Sequence, residues 1–384
     1  MKSAILTTAV LLFCLLRTAM VFADVSVDTE SLRLTFDRQA SLIRAEACFP
    51  SCDARNAQTR VLSSDQRSML SFHTAPDNEY RFEQSHQDSQ TTLSWFDSSD
   101  RLVSTWTIPD KGWVLSYRSP HDTSLTLYSG EDFRPAPSSG FGYLLEQTRY
   151  LVFDEDDVET IGLDETEEIT RTSNGWLGFR NRFWTVMLKP HGQFSVLPKT
   201  GETIVDAQLE LRRMDTRTDF DLYLGPIEPS ALSNSAPELE SLMYSGLWFW
   251  LRWICQALYF LLNGIFMLIP QWGLAVMALS VVVGVLMRPL SKIADRLQDQ
   301  VHEIDARLAP TLTSIKKNYK GAEQSEKILA MYNAENVHPL YSLKSLAGVF
   351  VVIPVFIGAF DMLAENIHLS GESFLWIADL SHPD

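Results

Sequence analysis

Little of this 384-residue chain is spaced for making or breaking bonds. His73, His86, His121 and His191 fall in its first half, and none stands at a metal-ligand spacing from Asp, Glu or Cys. No Gly-x-Ser-x-Gly elbow offers a nucleophile. The acidic run Asp154-Glu-Asp-Asp157 lacks the alternation and the glycine of a calcium loop, and reads as a solvated loop. Cys48 and Cys52 form Cys-Phe-Pro-Ser-Cys, a candidate local disulfide if the segment is exported, since oxidising compartments preserve such pairs. Without another Cys or a His partner the pair is a weak metal signal. Cys14 and Cys255 lie in apolar runs, where a buried free thiol is the default. No catalytic residue, cofactor or metal site is therefore expected. The charges that stand out instead are cations beside long apolar blocks: Arg288, Lys292 and Lys344.

The elements that carry those cations follow from charge and hydropathy. The formal charge is −16, and residues 24–242 account for all of it, with 36 acidic residues against 20 basic ones. Phosphate binding needs a basic face, so nucleic acid is excluded as a partner. Residues 1–23 pair a basic start with an apolar run from Ala4 to Leu16 and small residues before Asp24. That is the pattern of a signal peptide, or of an N-terminal anchor if it is not cleaved. Either way the chain after Asp24 is expected outside the cytoplasm.

Residues 24–240 read as all-β. Alternating runs recur between turn signals: Leu32–Phe36, Thr92–Phe96, Leu102–Ile108, Trp113–Tyr117 and Ala207–Leu211, with Asp97-Ser-Ser-Asp100 as a hairpin connection. A large sandwich is the expected fold. Trp95, Trp106, Trp113 and Trp176 are expected as core rings; exposed, they would instead suit a sugar platform.

Beyond residue 242 the pattern becomes helical. Residues 243–268 carry Trp248, Trp250, Arg252, Trp253 and Tyr259, residues suited to headgroup depth, and are expected to lie along the outer interface. Residues 272–290 are expected to cross. The following segment, 291–344, holds Lys292, Arg296, Arg307, Lys316, Lys317, Lys320, Lys327 and Lys344, which the positive-inside rule keeps in the cytoplasm. Ile293, Leu297, Val301, Ile304, Leu308, Leu312 and Ile315 form an amphipathic stripe there. Gly321 breaks it before a second short helix, so a self-packed helical hairpin is expected. Residues 345–363 then cross back, leaving a periplasmic tail at 364–384. The fold class is thus multidomain: an all-β periplasmic super-sandwich, then an α-helical membrane region with a cytoplasmic helical hairpin.

Several strings fit one known plan. Asn174-Gly-Trp-Leu-Gly-Phe179, Leu222-Tyr-Leu-Gly-Pro-Ile-Glu228, Tyr244-Ser-Gly-Leu-Trp-Phe249, Gln271-Trp-Gly273, Arg288-Pro-Leu-Ser-Lys292, Ala330-Met-Tyr-Asn-Ala-Glu-Asn-Val-His-Pro339 and Phe374-Leu-Trp-Ile-Ala-Asp-Leu-Ser381 occur in order. Together they resemble the YidC/Oxa/Alb insertase family in its Gram-negative form with a large periplasmic domain. The resemblance implies a non-enzymatic membrane protein insertase and chaperone of the bacterial inner membrane. Its partners would be nascent inner-membrane proteins and the lipid bilayer, with the secretion channel, a second copy or a second-half chain as further ones. Family members enclose a wet groove with a positive charge inside. Counted back from Pro289, that arginine's position falls on Gly284, and Arg288 is the nearest cation. Pro339 to Pro354 is a few residues longer than the family's spacing, and Lys344 lies in that stretch. The chain also stops at Asp384, where the family continues with three more crossings. The alternative reading is a degenerate paralogue acting as a membrane-anchored periplasmic scaffold or carbohydrate- or peptide-binding module.

Overall fold

The computed structural model describes residues 24–382, apart from 64, 66, 73–79, 122–123, 129, 131–132, 134–148, 155–156, 162–168, 172–174, 193, 201–206, 214–216, 336, 338–340 and 342–346. The expected leader at 1–23 and Lys344 lie outside the described residues. The chain divides into a β-unit ending at Leu242 and a helical unit beginning at Met243.

Among the described residues the β-unit holds two nine-stranded antiparallel sheets. One runs Val25–Asp28, Leu32–Phe36, Leu42–Phe49, Leu70–Phe72, Leu125–Tyr128, Ala207–Arg213, Phe194–Thr200 and Ile169–Arg171, with Gln58–Val61 also paired to Leu42–Phe49. The other runs Asp157–Ile161, Arg149–Asp154, Leu177–Arg180, Trp184–Pro190, Thr218–Pro226, Val114–Ser119, Leu102–Pro109, Gln90–Phe96 and Arg81–Gln87. The sequence's alternation explains the burial. Along Gln90–Phe96, positions 91, 93 and 95 point inward while their neighbours are only partly covered, as a period of two requires.

Aromatic rings join the sheets. Phe36 of the first meets Trp95 and Trp106 of the second at centroid distances of 6.0 and 5.4 Å. Trp106 then meets Phe220 edge-on at 5.7 Å, and its indole N–H donates to the Ala40 carbonyl at 2.9 Å. The Trp184–Pro190 strand is buried along nearly its whole length, as is the end of Thr218–Pro226. Helix α1, Pro229–Ser235, packs back on the latter strand, and Glu228 caps it by accepting from the Ala231 N–H.

The helical unit contains α2 (Phe249–Leu268), α3 (Trp272–Asn318), α4 (Ala322–Ala334) and α5 (Ala347–Ala364). The crossing and the first hairpin arm, expected as separate pieces, form one 47-residue helix that carries Pro289 and Pro310 inside it. The stripe spacing stays in phase with the crossing, so nothing in the sequence forces a break at Leu290. Val301 and Leu308 of α3 pack with Met331 of α4 and with Val337 and Tyr341, while Ile304, Leu312 and Ile315 lie against them. From Val301 onward the stripe thus packs on its own hairpin, whereas Ile293 is exposed. The Tyr341 hydroxyl donates to Asp305, and burial together with that carboxylate pushes the phenol up to about 12.

Candidate functional site

The candidate surface is built on α2, α3 and α5, which pack against one another. Helix α2 buries Leu251, Cys255, Leu258, Tyr259 and Leu262 on one side and exposes Phe249, Trp253 and Phe260. Spacings of three and four place each set on its own face. Where α2 crosses α5, Gly358 makes the approach possible: a Cβ there would stand 2.8 Å from Ile254 Cγ2. The Arg252 guanidinium donates to the Leu247 carbonyl at 2.9 Å and the Ser245 carbonyl at 3.1 Å. Its charge is therefore met by the chain entering α2, as a cation beside an apolar surface requires.

Apolar side chains are exposed along the first half of α3, among them Met277, Val281, Val285 and Leu286. Gly284, Arg288 and Lys292 follow one another at four-residue steps, so they share a face, and all three are exposed. At Gly284 a Cβ would have nothing within 4 Å. Neither Arg288 nor Lys292 forms an ion pair with a described residue. A helix rises about 1.5 Å per residue, which separates Trp272 from Arg288 by about 24 Å and from Lys292 by about 30 Å, the thickness of a hydrocarbon core. The two cations therefore mark one end of an apolar stretch of membrane length. Both α2 and α3 are long and apolar enough to cross a membrane, and Val352–Ala364 of α5 is a shorter apolar stretch.

At the other end of α3 a compact corner forms. Trp272 stacks between Phe266, 3.9 Å away by centroids, and His368 at 5.0 Å. The next residue, Gly273, leaves room for Phe374, whose Cδ2 lies 2.1 Å from where a Cβ would stand. Sequence reasoning noted Gln271-Trp-Gly273 and the Phe374–Ser381 string but had no rule that would bring them together. A glycine directly after a helix-starting tryptophan was the available signal.

In the β-unit, Cys48 and Cys52 are joined as a disulfide with Cα atoms 4.9 Å apart, and Cys255 is a buried free thiol. Trp95, Trp106, Trp113 and Trp176 are all buried, which removes the aromatic platform that a sugar-binding reading required. His191 Nε2 lies 3.0 Å from Asp221 Oδ2, and Ser116 donates to Asp221 Oδ1 at 2.7 Å. Both partners converge on the carboxylate; they do not form a relay to a nucleophile.

These features, a β-sandwich followed by apolar helices with cations at one end of the longest, fit a membrane protein. Family comparison gives the same answer segment by segment: the family described as YidC periplasmic domain matches residues 53–261, and that described as 60Kd inner membrane protein matches 264–384. The chain belongs to the YidC family, within the YidC/Oxa/Alb insertases. It is similar to the membrane protein insertase YidC of Bordetella pertussis, at 25% identity over 94% of this chain and 70% of that one. The Bordetella petrii protein of the same name is 27% identical over the same shares. That of Neisseria meningitidis is 29% identical over 60% of this chain and 44% of its own. A solved structure, "Active YidC insertase crystal structure with the first transmembrane domain resolved", aligns at 14% identity over 93% of this chain and 75% of its own, with a TM-score of 0.29, too low to define a shared arrangement.

Proposed function

We propose that this chain assists the insertion and folding of membrane proteins at the bacterial inner membrane. In this reading residues 24–240 lie in the periplasm and 243–268 along the outer interface. Residues 272–290 and 345–363 cross, the 291–344 hairpin lies in the cytoplasm, and 364–384 return to the periplasm. The observation that carries it is the α3 surface, an exposed apolar length ending in Arg288 and Lys292, in a chain of this family. An acidic or polar flank of a nascent segment is held at the cationic end, while its apolar part leaves along the exposed helix face into lipid. Moving polar backbone through hydrocarbon costs several kcal/mol per unsatisfied group, and Arg288 and Lys292 offset part of that cost for the flank they hold. No bond is made or broken. The open surface at Gly284 leaves space for another helix, which supports a second copy, a separate chain or the secretion channel as further partners.

The test is insertion of a single-span substrate into liposomes holding the purified chain, scored by protease protection. Protection above empty liposomes is expected, falling with Arg288→Glu plus Lys292→Glu and rising with Gly284→Arg. Protection that is indifferent to all three substitutions would reject α3 as the route.

A further inference from the structure

The segment after α5 is folded more firmly than a connecting tail needs to be. Asn366 caps a turn at Ile367–Leu369 by accepting from the His368 N–H. Phe374 and Ile377 exchange both backbone hydrogen bonds at 2.9 Å, and the Leu380 N–H donates to the Glu372 carbonyl at 2.8 Å. The result is a tight turn whose tip is Leu375 and Trp376. Leu375 holds a φ of 55°, a left-handed conformation that bulky residues seldom adopt and that persists only where the surroundings fix it. The turn projects the two apolar side chains at its tip outward: Leu375 is 74% and Trp376 82% exposed.

The position of this tip is fixed by its base. Phe374 seats on Gly273, beside the Phe266–Trp272–His368 stack. Next to Phe266, Met267 and Leu268 at the end of α2 are 84% and 83% exposed. Two independent segments thus present bare apolar side chains at the same end of α3. That end lies about one hydrocarbon thickness from Lys292, where interfacial Trp belongs.

We infer that the Leu375–Trp376 turn, together with Met267 and Leu268, is a lipid-interface anchor that fixes the outer end of α3 in the periplasmic leaflet. This rests on the proposal that α3 crosses the membrane. A tryptophan on a rigid turn sets depth because its ring favours the headgroup boundary over both water and the bilayer centre, and the packed base passes that depth to α3.

The experiment uses the full chain in liposomes with Cys14 and Cys255 replaced and the Cys48–Cys52 disulfide kept. An environment-sensitive fluorophore is attached at Ser373→Cys, beside the intact tip. Further labels at Gly284→Cys and Lys111→Cys report the crossing and the exposed β-unit. Nitroxides at headgroup and deep acyl positions, and iodide in water, serve as quenchers. The Ser373 label is expected to be quenched by headgroup nitroxide and the Gly284 label by acyl nitroxide, with the Lys111 label answering to iodide alone. Leu375→Asp with Trp376→Asp is then expected to weaken headgroup quenching at 373 and to shift the depth reported at Gly284 with it, while the Gly284 label stays within reach of the acyl nitroxide. A Gly284 label that no lipid quenches overturns the crossing and the anchor with it. A quenched Gly284 label beside a 373 label as open to iodide as that at 111 overturns the anchor alone. Shielding of 373 from iodide without nitroxide quenching also overturns it, in favour of a protein covering the tip.

Discussion

In the β-unit Trp95, Trp106, Trp113, Trp176 and Trp184 are buried, and three of their indole N–H groups donate to Ala40, Cys48 and Glu238. In the helical unit Trp272 is buried, but Trp250 and Trp376 are exposed and Trp248 and Trp253 are each 72% exposed. The same residue type is thus treated in opposite ways within one chain. An aromatic ring carries roughly 150–250 Å² of surface, which a domain in water turns inward. A unit that turns four of five outward matches a surrounding that is itself apolar, with an aromatic belt at its boundary. The sheets close on a ring-to-ring core, whereas α2 and α5 approach closely at Gly358, α2 buries mainly Leu251, Leu258, Tyr259 and Leu262, and most tryptophans of the unit stay outside.

The largest expected effect tests that contrast directly. Trp106→Ala removes a fully buried ring and its hydrogen bond to Ala40, and is expected to cost the β-unit about 3–5 kcal/mol. Trp253→Ala is expected to change stability by less than about 0.5 kcal/mol. Urea unfolding of the purified chain in detergent, read by protease resistance, compares the two; equal losses would erase the distinction. Next in size is Gly273→Ala. Its Cβ would overlap the Phe374 ring, and relief of such overpacking costs about 1–3 kcal/mol. The effect is expected in the helical unit alone, as faster proteolysis after α5 with the β-unit unchanged.

How much of this was legible beforehand depends on whether the partner of a residue is near in sequence. The strand from Leu32 to Phe36 and the hairpin joining Phe96 to Leu102 follow from alternation and turn residues. The hairpin stripe from Val301 to Ile315 follows from its period, and its cluster forms with a segment close by. Strand order does not follow: Leu125–Tyr128 sits between Leu70–Phe72 and Ala207–Arg213, a pairing across roughly eighty residues that no local pattern encodes. Gly284 was named as the position that the family resemblance gives its groove arginine, and Arg288 and Lys292 as cations beside an apolar block; that the three share a face follows only from the unbroken helix that carries them. The Phe374 seat on Gly273 needs a contact over a hundred residues apart, which periodicity cannot supply. The single-helix form of α3 was missed because the boundary at Leu290 came from the end of the apolar run, and hydropathy marks where lipid ends rather than where a helix does; Pro289, inside α3, did not end it either. Proline within a helix removes one hydrogen bond but need not end it when flanking turns hold the axis.

Two smaller predictions sharpen the comparison from the β-unit's side. Cys52→Ser opens a loop with a sequence separation of 4, for which chain entropy gives a loss of about 2 kcal/mol. Loss of that size is expected in the β-unit after reduction of the parent chain too, with no change in the helical unit, whose Cys255 is unpaired. The smallest effect belongs to Glu238. Hydrogen bonds from Lys189 and then from the Trp176 indole hold its carboxyl below the ordinary range. A depressed folded value means that this stabilisation is present above the unfolded carboxyl value and is lost as pH falls through the folded one. The carboxylate is largely exposed, so screening keeps its contribution within about 1 kcal/mol. Glu238→Gln is therefore expected to lower the urea midpoint slightly at neutral pH and to match the parent in acid, where Glu238 is protonated. A gap that survives in acid would assign the contribution to the Trp176 contact and not to charge, tying even this surface pair to the buried rings beneath it.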